Sequence, residues 1–121
     1  MMKEPKILIV DDAFFMRNML GNTIRDIGYS DLHFAEDGFQ AVEKAKELKP
    51  DIVTLDISMP GMDGLEAVEK ILEVSPASKI IMVTAVTSQS VVKQALANGA
   101  VDFINKPFSK DEIEDRLKRQ L

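Results

Sequence analysis

Residues 51–56 read Asp51-Ile52-Val53-Thr54-Leu55-Asp56, and residues 6–12 repeat the pattern as Lys6-Ile7-Leu8-Ile9-Val10-Asp11-Asp12. Each is a short aliphatic or β-branched run that ends on carboxylates. A run this short, without polar alternation, suits a strand buried on both faces, as in a parallel sheet covered by helices on both sides. Ile80-Ile81-Met82-Val83 has the same character. Two weaker runs complete the set: Leu32-His33-Phe34-Ala35 alternates like a half-exposed edge, and Val101-Asp102-Phe103-Ile104 follows Asn98-Gly99, a helix-stop pair.

Between the strands the apolar period changes from continuous to helical. Met16, Leu20, Ile24 and Ile27 recur at four, four and three, and Gly28 ends that helix. The next helix starts after Asp37, whose carboxylate caps it with Gln40 at the third helical position, and stops before Pro50; Ala41, Val42, Ala45 and Leu48 form its inner face. A third carries Leu65, Val68, Ile71 and Leu72, and a fourth Val91, Val92, Ala95 and Leu96. The last opens with Ser109-Lys110-Asp111-Glu112, a Ser-x-x-Glu capping box, and presents Ile113, Leu117 and Leu121. Five β/α units account for residues 1–121 as a single α/β domain with a five-stranded parallel sheet.

Composition excludes several function classes. With 20 acids against 15 bases, a formal net charge of −5, the chain lacks the clustered positive charge that nucleic-acid binding needs. No apolar stretch reaches the roughly 18 residues needed to span a bilayer, so no membrane insertion is expected. The absence of cysteine removes disulfides and thiolate metal sites and fits a reducing cytosol, so a cytoplasmic location is expected.

Open parallel sheets bind ligands at the carboxyl ends of their strands. Here those ends carry Asp11-Asp12 after the first strand, Asp56 after the third, Thr84 after the fourth and Asn105-Lys106-Pro107 after the fifth. An Asp-Asp pair after a strand has a second explanation, capping of the helix that follows. Asp56 does not, because a loop, Ser58-Met59-Pro60-Gly61-Met62-Asp63-Gly64, comes next and Asp63 is free to cap the third helix. Like charges at about 4 Å repel by roughly 4 kcal/mol at an effective dielectric near 20, so three converging carboxylates call for a cation. Mg²⁺ fits, since it takes carboxylate oxygens, waters and phosphate oxygens, and Lys106 adds a fixed positive charge.

Asp11-Asp12, Asp56, Thr84 and Lys106-Pro107-Phe108, with Met59-Pro60-Gly61-Met62-Asp63-Gly64 after Asp56, resemble the signature of response-regulator receiver domains, specifically the chemotaxis CheY type. The resemblance covers nearly the entire chain. It implies a doubly wound, flavodoxin-like (βα)5 domain of strand order 2-1-3-4-5, an order that periodicity does not supply. It further implies that Asp56 takes a phosphoryl group from a phosphohistidine on a CheA-like histidine kinase, or from a small phosphodonor. Asp12, Asp56 and the backbone carbonyl of Ser58 would ligate Mg²⁺, Asp11 would act mainly through water, and Mg²⁺ and Lys106 would stabilise the transferring charge. The Lys106-Pro107 bond is expected to be cis. Thr84 would read the phosphoryl oxygens and move with Phe103, which otherwise is simply sheet core.

The output surface implied is the fourth helix, fifth strand and fifth helix, read by a target such as a flagellar motor switch protein and reset by a phosphatase. Such a protein is a monomer and not an enzyme in the ordinary sense, catalysing only its own phosphorylation and dephosphorylation. Ser58 and Val86, both small, would leave water access to the phosphoryl group. Phe14, beside the acids, is a candidate contact for a kinase or phosphatase, Phe15 is expected to pack inward, and His33 lies far from the acids. Three other readings remain: a flavin protein, disfavoured because Asp11-Asp12 would repel flavin phosphate; a Mg²⁺ phosphohydrolase, disfavoured because Ser58 stands where a second acid is wanted; and the receiver piece of a longer regulator. The chain ends on a complete helix without linker residues, which favours a stand-alone protein.

Overall fold

The structure, a computed structural model, describes residues 4–121. Five strands alternate with five helices: β1 Ile7–Val10, α1 Phe14–Ile27, β2 Leu32–Ala35, α2 Gly38–Leu48, β3 Ile52–Leu55, α3 Gly64–Val74, β4 Lys79–Thr84, α4 Gln89–Asn98, β5 Asp102–Asn105 and α5 Lys110–Gln120. All strand pairs are parallel and the sheet order is β2-β1-β3-β4-β5. The fold class and order implied by the sequence are those observed, with strand ends shifted by one residue.

The strand period of two divides the core into two clusters, one on each face of the sheet. Leu8, Val10, Val53, Leu55, Ile80 and Met82 pack under α2, α3 and α4, against Ala41, Ala45, Val68, Ile71 and Ala95. Ile7, Ile9, Ile52, Ile81, Val83 and Ile104 face α1 and α5, against Leu20, Ile24, Ile113 and Leu117. Fully burying one such side chain contributes about 1.5–3 kcal/mol, so strands with no solvent face are held firmly. No described helix is long and apolar enough to cross a membrane.

Helix ends follow their local chemistry. Asp37 accepts the Gln40 N–H at 2.8 Å, Asp63 that of Glu66 at 2.9 Å, and Ser109 with Glu112 closes the capping box on α5. Gly28 and Gly99 end α1 and α4 at φ of 127° and 122°.

Helix rotation departs from expectation in three places. Leu96 is 46% exposed rather than buried, because α4 is anchored by Ala95 and by Asn98, whose side chain donates to the Leu65 carbonyl at 2.9 Å. That bond turns the 91/95/98 edge inward and carries Leu96 out. Leu121 lies just past α5 and is exposed. Phe15 does not pack inward: it is 69% exposed beside Phe14 at 68%, since Leu20 and Ile24 already define the buried face of α1.

Candidate functional site

Strand register builds the site before any side chain is considered. Val10 pairs with Leu55, so Asp11 and Asp56 leave the sheet side by side, and the Asp56 N–H still donates to the Val10 carbonyl at 3.1 Å. Thr84 pairs with Asn105, and Lys106 follows, its N–H bonded to the Thr84 carbonyl at 2.9 Å. Sheet order reverses at β1, between β2 and β3, which is where open α/β sheets carry ligands.

Asp11, Asp12 and Asp56 each bring a carboxylate oxygen to within 4.8 Å of the others. Asp11 and Asp56 are each 6% exposed, whereas Asp12 is exposed. Lys106 Nζ donates to Asp11 Oδ2 at 2.6 Å and to Asp56 Oδ2 at 3.1 Å. Burial alone would lower the Lys106 pKa, but the hydrogen bonds to Asp11 and Asp56 and their charges outweigh it and hold the ammonium above its ordinary value.

Both oxygens of Asp11 are used, since Oδ1 accepts the Ala13 N–H at 2.9 Å. Asp56 Oδ1 accepts the Ser58 N–H at 3.3 Å. The hydrogen bonds of the site run to Asp11 and Asp56 and, among the described residues, none to Asp12. Neither acid is the N-cap of α1, which is Ala13, but the Asp11 carboxylate accepts the Ala13 N–H at that end of the helix. The helix-start explanation therefore accounts for one oxygen of Asp11 and leaves Asp12 unaccounted for.

Three carboxylates and one ammonium leave an excess negative charge. Two carboxylates 4.8 Å apart repel by roughly 3 kcal/mol at an effective dielectric near 20. The donors are hard oxygens with no nitrogen or sulfur ligand among them, a set that suits a hard divalent cation.

The backbone of Asp56 is fixed from behind. A Cβ on Gly64 would stand 2.3 Å from the Asp56 carbonyl oxygen, so only glycine lets α3 begin so close to the acid. Thr84 is fully buried, and its Oγ1 accepts the Val86 N–H at 3.3 Å. Ser58 is exposed and Val86 half-buried. Phe103 is half-buried against the α2–α4 core. The Lys106-Pro107 bond is cis. His33 pairs with Asp31 at 2.8 Å on edge strand β2, away from the acids. Sequence reasoning missed Arg17, which reaches back from α1 to the Asp11 carbonyl; a basic residue so near the positive end of a helix was the available signal.

Fold and site define a class: a flavodoxin-like α/β domain with an acidic, lysine-bridged pocket at the switch point of its sheet. Residues 7–118 match the family model described as response regulator receiver domain. The chain is 49% identical over 114 residues to the chemotaxis protein CheY of Listeria monocytogenes, covering 94% of this chain and 96% of that protein. It superposes on the structure of the chemotaxis protein CheY4 of Vibrio cholerae with a TM-score of 0.91 at 33% identity, covering 98% and 100% of the two chains. A CheX–CheY–BeF3–Mg complex from Borrelia burgdorferi gives a TM-score of 0.89 at 36% identity, covering 94% and 87%. The chain belongs to the response-regulator receiver family, whose members are signalling domains activated by phosphorylation.

Proposed function

We propose that the chain is a chemotaxis-type response regulator in which Asp56 accepts a phosphoryl group from a histidine kinase with the help of Mg²⁺. The observation that carries this is the convergence of Asp11, Asp12 and Asp56 within 4.8 Å around one lysine. Asp12 and Asp56, with the Ser58 backbone carbonyl, would hold the cation, and Asp11 would act through water. When bound, Mg²⁺ neutralises charge on the transferring phosphoryl group.

The chain's own residues do the rest. A carboxylate oxygen of Asp56 forms the new P–O bond while the P–N bond of the donor phosphohistidine breaks and its imidazole leaves. Lys106 is already between Asp11 and Asp56, and its ammonium neutralises phosphoryl oxygen charge without reorganisation. Thr84 would give up its bond to Val86 to reach the phosphoryl group, and Phe103 would follow it, altering the face made by α4, β5 and α5. A flagellar motor component is the target we favour, with a phosphatase to reset the switch; the likeness to a chemotaxis protein and to a CheY bound by a second protein, CheX, supports a chemotaxis role read by protein partners. A cytoplasmic monomer, a single receiver domain over residues 1–121, is the form this reading requires.

Incubation with acetyl phosphate and Mg²⁺ is expected to add one phosphoryl group, seen as a mass increase that EDTA prevents and Asp56→Asn abolishes. A full-yield adduct on the Asp56→Asn protein would overturn the assignment.

A further inference from the structure

We infer that Arg17 is a positioning residue for the acidic site, acting through the backbone carbonyl of Asp11. Its Nη1 donates to that oxygen at 2.7 Å, a charge-assisted bond between α1 and the end of β1. Its guanidinium lies 5.7 Å from the centre of the exposed Phe14 ring, which covers one side of it. Phe34, Ala35, Glu36 and Gln40 line a cavity of about 150 Å³ with it. The inference rests on the metal reading above and names the group that aims the metal-facing acid.

The reason lies in the planarity of the peptide unit. The Asp11 carbonyl and the Asp12 N–H belong to one rigid plane, so holding that oxygen sets where the Cα and carboxylate of Asp12 begin. Asp11 needs little further help, because Ala35 accepts its N–H at 3.2 Å and Ala13 and Lys106 donate to its carboxylate. Asp12 has no comparable anchor on its side chain; the turn that carries it is closed by the Ala13 N–H bond to Asp11 Oδ1 and, from α1, by Arg17 on the Asp11 carbonyl. Arg17 is thus the support from α1 for an acid whose side chain makes no hydrogen bond among the described residues. Groups that orient a metal ligand from behind typically account for about 10- to 100-fold in metal affinity.

Charge and position predict opposite signs. If Arg17 acted only as a nearby cation, its removal would tighten Mg²⁺ binding. If it positions Asp12, removal weakens binding despite the relief of repulsion.

The test titrates Mg²⁺ by calorimetry into wild type, Arg17→Met, Arg17→Lys and, as a control removing the same charge farther along α1, Arg25→Met. Arg17→Met is expected to bind about tenfold more weakly or worse, with Arg25→Met unchanged, and Arg17→Lys is expected to bind more tightly than Arg17→Met although it restores a repelling charge. Equal or tighter binding by Arg17→Met, or the reverse order of Lys and Met, overturns the proposal. If Arg17→Met does not fold, Arg17→Gln carries the same comparison. Amide exchange of Ala13 in metal-free protein separates this inference from the metal reading, since that N–H bonds to Asp11. It is expected to quicken in the variant while β3 amides keep their protection. Failure of wild type to bind Mg²⁺ would defeat the metal reading, and unchanged Ala13 exchange would defeat the positioning role.

Discussion

Asp12 is the residue on which the balance of the site turns. Asp11 and Asp56 are buried and share Lys106, so their charges are partly answered within the protein. Asp12 adds a third negative charge within 4.8 Å and has no partner among the described residues. Replacing it with Asn is therefore expected to stabilise the metal-free protein by about 0.5–1 kcal/mol, since solvent at an exposed acid screens much of the repulsion. In a thermal melt with EDTA, that is an increase of a few degrees for a domain of this size. A lower midpoint for Asp12→Asn would mean that its carboxylate makes a favourable contact in the folded state. Gly64 is legible in the sequence only as the start of a helix after Asp63, and the clash a Cβ there would make, 2.3 Å from the Asp56 carbonyl oxygen, depends on how the loop returns to the sheet.

At the scale of elements, β3 both leads into Asp56 and contains an unused polar group. Thr54 is buried with its hydroxyl unpaired, between Ile9 of β1 and Ile81 of β4 in the sheet register. A buried hydroxyl without a partner costs stability that a methyl group does not. Thr54→Val keeps the β-branched shape and is expected to gain about 1 kcal/mol, read as a higher urea midpoint at unchanged slope. A lower midpoint would show that the hydroxyl is bonded in solution. The helices show the limit of period reading. Spacing identified an apolar face on each, but Asn98 turned α4 by bonding to the Leu65 carbonyl, and Leu96 went outward.

For the whole molecule, a cation held by the three acids would couple the site to the fold. The three acids are together only in the folded chain, because Asp11 and Asp56 are brought together by pairing of β1 with β3 across 44 intervening residues in sequence. A ligand that binds only the folded state stabilises it by about 2.7 kcal/mol at a hundredfold excess over its Kd. Mg²⁺ is therefore expected to raise the melting temperature in a concentration-dependent way, EDTA to reverse the shift, and Asp12→Asn to remove most of it. A melting temperature indifferent to Mg²⁺ would show that the acids hold no cation.

The sequence by itself determined the strands, the caps at Asp37, Asp63 and Ser109, and which acids stand at strand ends, because buried-strand composition and capping chemistry are local properties of a few neighbouring residues. It also placed Asp11, Asp12, Asp56, Thr84 and Lys106 at one edge once the elements were counted. Only the tertiary structure decided that Ala13, not either acid, is the N-cap of α1, that Phe15 and Leu96 face outward, that Gly64 backs Asp56 and that Arg17 holds Asp11. Those outcomes depend on how far each helix is rotated about its axis and on the path of each loop. Both are settled by packing between segments far apart in the chain, which no local pattern records.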